Sequence, residues 1–388
     1  MEQALADEVA EISAQHCPTL HVHNQVPGGV HCSGNLLDAY QLNLHSRIAS
    51  RVLLRMAHQS YSNENDIYDL TLEQPWEDWF SIHHTIRVDI TAIKSPLRSL
   101  EFTTLKIKDA VCDRFRDFCN ERPSVDTQTP DIRIVGFLDA HNFTLYIDTS
   151  GEPLFKRGWR METGDAPLRE NLAAGLLRVA GWKPGMTLFD PMCGSGTILA
   201  EAAQMVAGIP PGLHREFAFE KMGNFDAERW QEIKSAIKVK EVTGAPTIFG
   251  SDISGDMILM TRSNLNKAGI HFEIPLKQIE AQQIQAPSDV AGIMLTNPPY
   301  GERIGVRGDS TLETDELAIS FFSAFGTTLK QRFAGWQVFI FTADLTLPKM
   351  LRLKEARKTP FFNGALECRL FRFDMVAGFN RREAAKPK

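Results

Sequence analysis

Hydrophobic positions along the chain fall into two regimes that meet between residues 151 and 166. Before that point, short units of differing period follow one another. LLDAYQLNLHSRIASRVLLRM, residues 36–56, carries apolar residues at helical spacing, whereas Ile86, Val88 and Ile90 alternate as a strand does. SLEFTTLKIKDAVCDRFRDFC reads as an amphipathic helix with Leu105, Ala110, Val111, Phe115 and Phe118 on one side. DIRIVGFLDAHNFTLYIDTS reads as two strands around a turn at Asp139 to Asn142. Helices packed on one face of a small sheet are the expected α+β arrangement.

GEPLFKRGWRMETGDAP has glycine and proline at both ends, and beyond it helix and strand signals alternate. APLRENLAAGLLRVAGW predicts a helix, MTLFD a buried strand, GTILAEAAQMVA a helix and PTIFGSD a strand. SGDMILMTRSNLNKAG is then a helix, IPLKQIEA and AGIMLTN are strands, ETDELAISFFSAFGTTLKQRF is a helix and WQVFIFTA a strand. Such alternation predicts an α/β fold whose parallel sheet is covered on both faces. RKTPFFNGALECRLFRFDMVAG contains Asn363-Gly364, a strong hairpin signal, so an antiparallel hairpin should finish the sheet.

Composition narrows this picture. With 388 residues, 43% hydrophobic and 23% charged, the chain has the make-up of a globular protein of about two or three domains. No apolar run reaches the ~18 residues needed to span a bilayer. The acidic start MEQALADEVAEI is unlike a signal peptide, so a cytoplasmic location without a membrane is expected. Six scattered cysteines form no disulfide framework. The cluster His16, Cys17, His21, His23, His31 and Cys32 lacks a repeated short ligand spacing. It reads as polar residues alternating on a strand, and no metal is expected.

The net charge of −6 argues against indiscriminate binding of nucleic acid. From Lys349 onward, however, eleven basic residues face four acids, and between Lys94 and Arg122 seven face five. Each run is compatible with a solvated face; a localised basic surface on an acidic protein also suits a specific polyanion.

Three constellations carry chemistry. The first is DPMCGSGT, Asp190 to Thr197, between a strand and a helix. Gly194 and Gly196 let backbone approach a ligand and expose amides at a helix start. The pattern is neither a dinucleotide fingerprint nor a P-loop. Asp190 at a strand's carboxyl end can accept hydrogen bonds from an amine; a purely structural turn is the alternative. The second is GSD, Gly250 to Asp252, where an acid takes ribose hydroxyls or caps the next helix. A long insertion, roughly Gly208 to Thr247, separates it from Gly196, which does not suit a dehydrogenase.

The third is TNPPYGERIG, beginning at Thr296. Pro298 and Pro299 stiffen the turn, and Pro298 pushes Asn297 toward an extended conformation. An amide, a rigid carbonyl-bearing turn and an aromatic side chain suit the holding of a planar exocyclic amine. The Asn297 amide oxygen and the Pro298 carbonyl can accept its two N–H groups, which directs the lone pair out of plane. Tyr300 can stack on the base. Alternatively, the turn merely ends a strand. Gly301, Arg303 and Arg307 follow, in a loop that can touch phosphates or simply be solvated.

In this order the three motifs, with the closing hairpin, resemble the class I S-adenosylmethionine-dependent amino-methyltransferases of the Asn-Pro-Pro-Tyr type. KRGWR, APLREN, REFAFEK and LECRLFRF are similar more narrowly to the ribosomal RNA guanine-N2 methyltransferases. GGVHCSGNLLDAYQLNLHSRIASRVLLRM and FTTLKIKDAVCDRFRDFCNERPSVDTQTPDI resemble their THUMP-bearing half, an RNA-binding module. The resemblance covers nearly the whole chain.

It implies a Rossmann-like domain over residues 156–388, with a seven-stranded sheet, after a ferredoxin-like plus THUMP region over residues 1–155 (THUMP about 43–155). It implies S-adenosylmethionine as cofactor, 23S ribosomal RNA as partner and a guanine N2 amine as acceptor. Asp190, Pro191, Cys193, Gly194, Ser195 and Gly196 would line the cofactor site. Asp252 would take the ribose hydroxyls, with Ile253 beside it and Gln282 near the adenine ring, where relatives usually have an Asp. Asn297 would border the cofactor and, with Pro298, Pro299 and Tyr300, hold the target base. Relatives begin with a strand ahead of the helix that here starts near Met1. Some also carry a second, C-terminal methyltransferase domain; with Lys388 soon after the hairpin, one reaction is expected. A monomer is the working expectation. Adenine-N6 methylation and a non-catalytic ribosome-assembly role remain as alternatives.

Overall fold

Helix α1 (Glu2–His16) is followed by a hairpin of β1 (His21–Val26) and β2 (Gly29–Ser33). The hairpin contains His21, His23, His31 and Cys32, so most of the histidine-rich cluster does lie on short strands. Helix α2 (Leu36–His45) starts at a capping box between Asn35 and Asp38. The computed structural model describes residues 1–160, 168–298, 312–364 and 366–376, with only the backbone at 312–315.

The helical spacing read over residues 36–56 stops at His45, and LLRMAHQS instead forms β3 (Leu53–Ser60). Tertiary partners explain the break. The buried Glu8 carboxylate accepts from the Ser46 hydroxyl at 2.6 Å and from the Arg47 and Ile48 amides at 2.9 and 3.1 Å. Strand β3 then pairs with β6 (Asn142–Asp148), Leu53 opposite Asp148. Pairing overrides an apolar spacing compatible with either state.

Between these strands lie α3 (Glu64–Leu72), β4 (Ile86–Ala92), α4 (Leu100–Cys119) and β5 (Ile132–Leu138), and the sheet order is β3-β6-β5-β4. On α4, Ala110, Val111 and Phe115 are buried as read, but Leu105 and Phe118 are 48% and 64% exposed. The buried stripe includes Thr103, Ile107 and Val111; Leu105, two residues from Ile107, is turned about 200° away. Charges on this helix are largely paired: Arg114 Nε donates to Glu77 at 3.0 Å, and Arg116 bonds Asp113 at 2.5 Å.

Beyond Gly158 the chain enters the parallel sheet through α5 (Glu170–Val179), β7 (Leu188–Asp190) and α6 (Thr197–Ala207). It then leaves that sheet. Residues 211–237, including α7 (Ala227–Ser235), pack with residues 2–157 as one compact unit. Phe217, Phe219, Met222 and Trp230 share a core with Tyr40, Trp76 and Ile147. The Tyr40 and Phe219 rings stack at 4.2 Å, and Trp230 meets Phe219 edge-on at 5.1 Å. Residues 211–237 of the stretch read as an insertion, roughly Gly208 to Thr247, thus belong to the first unit, and its two ends to the second.

The second unit resumes with β8 (Ile248–Asp252), α8 (Gly255–Lys267), β9 (Leu276–Gln278) and β10 (Ile293–Thr296). It continues through α9 (Leu312–Arg332), β11 (Gln337–Thr342), α10 (Leu347–Leu351), β12 (Arg357–Asn363) and β13 (Leu366–Asp374). The seven strands run in the order β12-β13-β11-β10-β7-β8-β9. Strand β13 is antiparallel to both neighbours, as the Asn363-Gly364 hairpin predicts. From β7, successive strands are added first toward β9 and then toward β11, so strand order reverses between β7 and β10. Ligands of open α/β sheets bind at such a reversal, beyond the strands' carboxyl ends.

Candidate active site

Strand β7 delivers Asp190 to that position, where it is almost fully buried. Desolvation is the main cause that pushes its carboxyl up to about 7, with the nearby Asp252 charge adding to it. The Thr296 hydroxyl and the Met192 amide, which donates at 3.2 Å, act in the opposite direction.

The turn that follows needs its glycines. Gly194 and Gly196 have φ of 53° and 81°. A Cβ on Gly196 would lie 2.6 Å from Thr261 Cγ2, so only glycine fits. The Gly196 amide donates to the Cys193 carbonyl at 2.8 Å, and the Cys193 amide to the Ser251 carbonyl at 2.9 Å. The Cys193 side chain points inward, 3.8 Å from Thr261 Oγ1, and burial pushes its thiol well up. The residue shapes the turn from beneath rather than offering a thiolate. Pro191 accepts from Ser251 Oγ at 3.2 Å.

Asp252 ends β8, the strand beside β7. Its Oδ2 accepts from the Gly194 amide at 2.9 Å and its Oδ1 from the Ser254 amide at 2.9 Å. The cap of α8 is Ser254, whose hydroxyl accepts from Met257, so the helix-cap alternative for Asp252 falls. Ile253 presents a side chain that is 66% exposed at the same strand end. Gln282 lies beyond β9; its side chain is half-buried and its carbonyl accepts from Thr328 Oγ1 at 2.5 Å.

Asn297 follows β10, the other neighbour of β7. Its Oδ1 is buried and has no hydrogen-bond partner among the described residues. Burying an amide oxygen without a partner costs roughly 1–3 kcal/mol, and none of the described residues uses this acceptor. Pro298 is buried. Pro299, Tyr300, Gly301, Arg303 and Arg307 lie outside the described residues.

Asp190, the glycine turn, Asp252, Ile253 and Asn297 therefore meet at the carboxyl ends of three adjacent strands. Sequence reasoning missed the groups that hold the turn. Thr261 Oγ1 donates to the Gly194 carbonyl at 2.7 Å, and Asn264 Nδ2 donates to the Ser195 carbonyl at 2.9 Å. The only signal was two polar residues, three apart, on the inner face of α8. Arg160 is the other: its guanidinium bonds Thr197 Oγ1 and the Leu168 carbonyl, the latter at 3.0 Å, and lies 3.5 Å from Glu170. It braces the start of α6 directly after the turn.

This sheet order, with an acid–glycine turn after its first strand and Asn-Pro after its fourth, defines a class I methyltransferase fold. The chain belongs to the RMKL-like methyltransferase domain family, which matches residues 157–372. A THUMP domain matches residues 61–148, and the RlmL ferredoxin-like domain matches residues 1–53. The chain is 40% identical over 350 residues to the ribosomal RNA large subunit methyltransferase K/L of Psychromonas ingrahamii, covering 89% of this chain and 46% of that protein. It spans about half the length of the curated relatives it matches. A possible methylase from Clostridium difficile 630 superposes with a TM-score of 0.85 at 26% identity, covering 100% of this chain and 96% of that one. SMU.472, solved with SAH, superposes with a TM-score of 0.78 at 25% identity over 96% and 95% of the two chains. Among the described residues, no helix is long and apolar enough to cross a membrane.

Proposed function

We propose that this chain transfers a methyl group from S-adenosylmethionine to the exocyclic N2 amine of a guanine in 23S ribosomal RNA. The observation that carries this reading is the buried Asn297 Oδ1, without a partner among the described residues, beside the strand that ends in Asp190. An acceptor held in place before substrate arrives is what a planar amine needs. The RNA specificity is supported by relatives named ribosomal RNA large subunit methyltransferase K/L and by the THUMP domain.

The residues present fit the cofactor. Asp190 would hold its amino group, the Gly194–Gly196 turn its carboxylate end, Asp252 the ribose hydroxyls, and Ile253 with Gln282 the adenine. S-adenosylmethionine supplies an electrophilic methyl group when bound. The chain's own contribution is orientation: Asn297 Oδ1 and the Pro298 carbonyl accept the two N–H groups of the amine and turn its lone pair out of the ring plane. Tyr300 is assigned the stacking role from its sequence position. No strong general base is required, since the proton can leave after the new bond forms. Residues 1–155, with the THUMP region at about 43–155, would grip RNA, and residues 156–388 would carry the transfer.

The same motif serves adenine N6 amines, so the decisive experiment is chemical. Ribosomal RNA and DNA are incubated with the purified chain and labelled S-adenosylmethionine, and the product base is mapped by mass spectrometry. N2-methylguanine in the 23S molecule is expected. N6-methyladenine would replace this reading by the adenine one. No product, together with no calorimetric binding of the cofactor, would leave a non-catalytic RNA-binding role.

A further inference from the structure

A pocket of about 280 Å³ opens at the opposite end of the parallel sheet from the glycine turn. Gln337, the first residue of β11, lines it, whereas the catalytic end of that strand is Thr342. Five residues of strand place the two about 17 Å apart. Met186 and Phe339 line the pocket with apolar surface, and Arg357, Thr359 and Arg372 line it with polar groups.

The arginines are the unusual feature. Arg357 on β12 sits directly opposite Arg372 on β13. Like charges facing each other across a strand pair destabilise it. Arg372 bonds Asp374 at 2.8 Å, but among the described residues no carboxylate pairs with Arg357. A neutral polar residue at position 357 would remove the repulsion. An anion lying across both guanidiniums would turn the repulsion into attraction. Phosphate is, with carboxylate, an anion that arginine forks match in a bidentate way. The Arg372 guanidinium also lies 6.0 Å from the centre of the Phe339 ring, which aligns it beside an apolar floor. The volume is just under the range of about 300–1,000 Å³ typical of small-ligand pockets, which suits one nucleotide rather than a dinucleotide.

We propose that this pocket binds a single nucleotide unit, its phosphate across Arg357 and Arg372 and its base on the floor formed by Phe339 and Met186. The unit comes either from a free mononucleotide or from a nucleic-acid strand; both present the same chemistry. The site stands apart from the methyl-transfer reading and does not depend on it.

The test is calorimetric titration of the full chain with uridine 5′-monophosphate and, separately, with a short single-stranded oligouridylate. Uridine probes are chosen because they lack the adenosine that the cofactor site would take. The parent chain should bind at least one of them, and Arg357→Gln and Arg372→Gln should each weaken that binding roughly tenfold or more. Binding of the monophosphate identifies a free nucleotide as the ligand; binding of the oligomer alone identifies a strand. Arg357→Gln should also melt at or above the parent temperature, since it relieves the facing charges. Binding of neither probe, smaller losses in the variants, or a lower melting temperature for Arg357→Gln would each overturn the proposal.

Discussion

The Asp252 carboxylate accepts the Gly194 amide at 2.9 Å, tying the end of β8 to the glycine turn after β7. Its second oxygen holds the Ser254 amide, so one side chain fixes the turn and the approach to α8 together. Asp252→Ala should therefore weaken S-adenosylhomocysteine binding by roughly tenfold to a hundredfold, from two lost charge-assisted bonds. Asp252→Asn keeps one acceptor oxygen and should lose less. Equal affinity for parent and Asp252→Ala in calorimetry would remove this residue from the cofactor site.

Asn297 Oδ1 has no partner among the described residues, so replacing it removes no hydrogen bond that they make to that oxygen. Asn297→Ala is expected to reduce methyl transfer by roughly a hundredfold or more, while cofactor affinity stays within a few-fold. Single-turnover rates and calorimetry read the two quantities separately. Retained activity would sink the role given to the amide.

The Asp190 carboxyl, held up to about 7 by burial, makes stability and binding depend on pH in opposite senses. Its folded pKa lies above the unfolded value. The stabilising contribution is therefore complete below about pH 4 and fades as pH rises through about 7. Ionised Asp190 is the form that attracts a ligand's ammonium group. Affinity should thus grow by up to about tenfold per pH unit until near 7, then level off. Melting curves and calorimetry between acid and mildly alkaline pH check both trends, and Asp190→Asn should flatten them.

Trp230 lies in the segment between α6 and β8 yet is buried in the core shared with Tyr40 and Phe219. Trp230→Ala should cost about 3–5 kcal/mol. The loss should appear as earlier exchange of backbone amides in residues 2–157. Amides of β7 and β10 should be protected as in the parent. If those central strands lose protection first, the segment belongs energetically to the parallel sheet instead.

Much of the site was legible in the sequence, because its parts obey local rules. Gly194 and Gly196 follow an apolar strand and precede a helix, and backbone with positive φ favours glycine. The two strands around Asp139–Asn142 and the closing hairpin were equally readable, since turn chemistry and period are local. The failures were non-local. Residues 46–56 have helical spacing, but Glu8 and the pairing of β3 with β6 decide their conformation. Thr261 and Asn264 look like ordinary polar helix residues until α8 is laid against the glycine turn.

The sequence by itself determined which residues can make the turn after β7, the stiff turn after β10 and the alternation that builds a parallel sheet. Those properties come from backbone stereochemistry and hydrophobic period, which act over a few residues. Only the tertiary structure decided that Asp252 holds Gly194, that the Asn297 side-chain oxygen is buried, and that residues 211–237 complete the first unit's core. Hydrogen-bond partners and buried neighbours far apart in the chain are chosen by packing, and packing exists only once the elements have met.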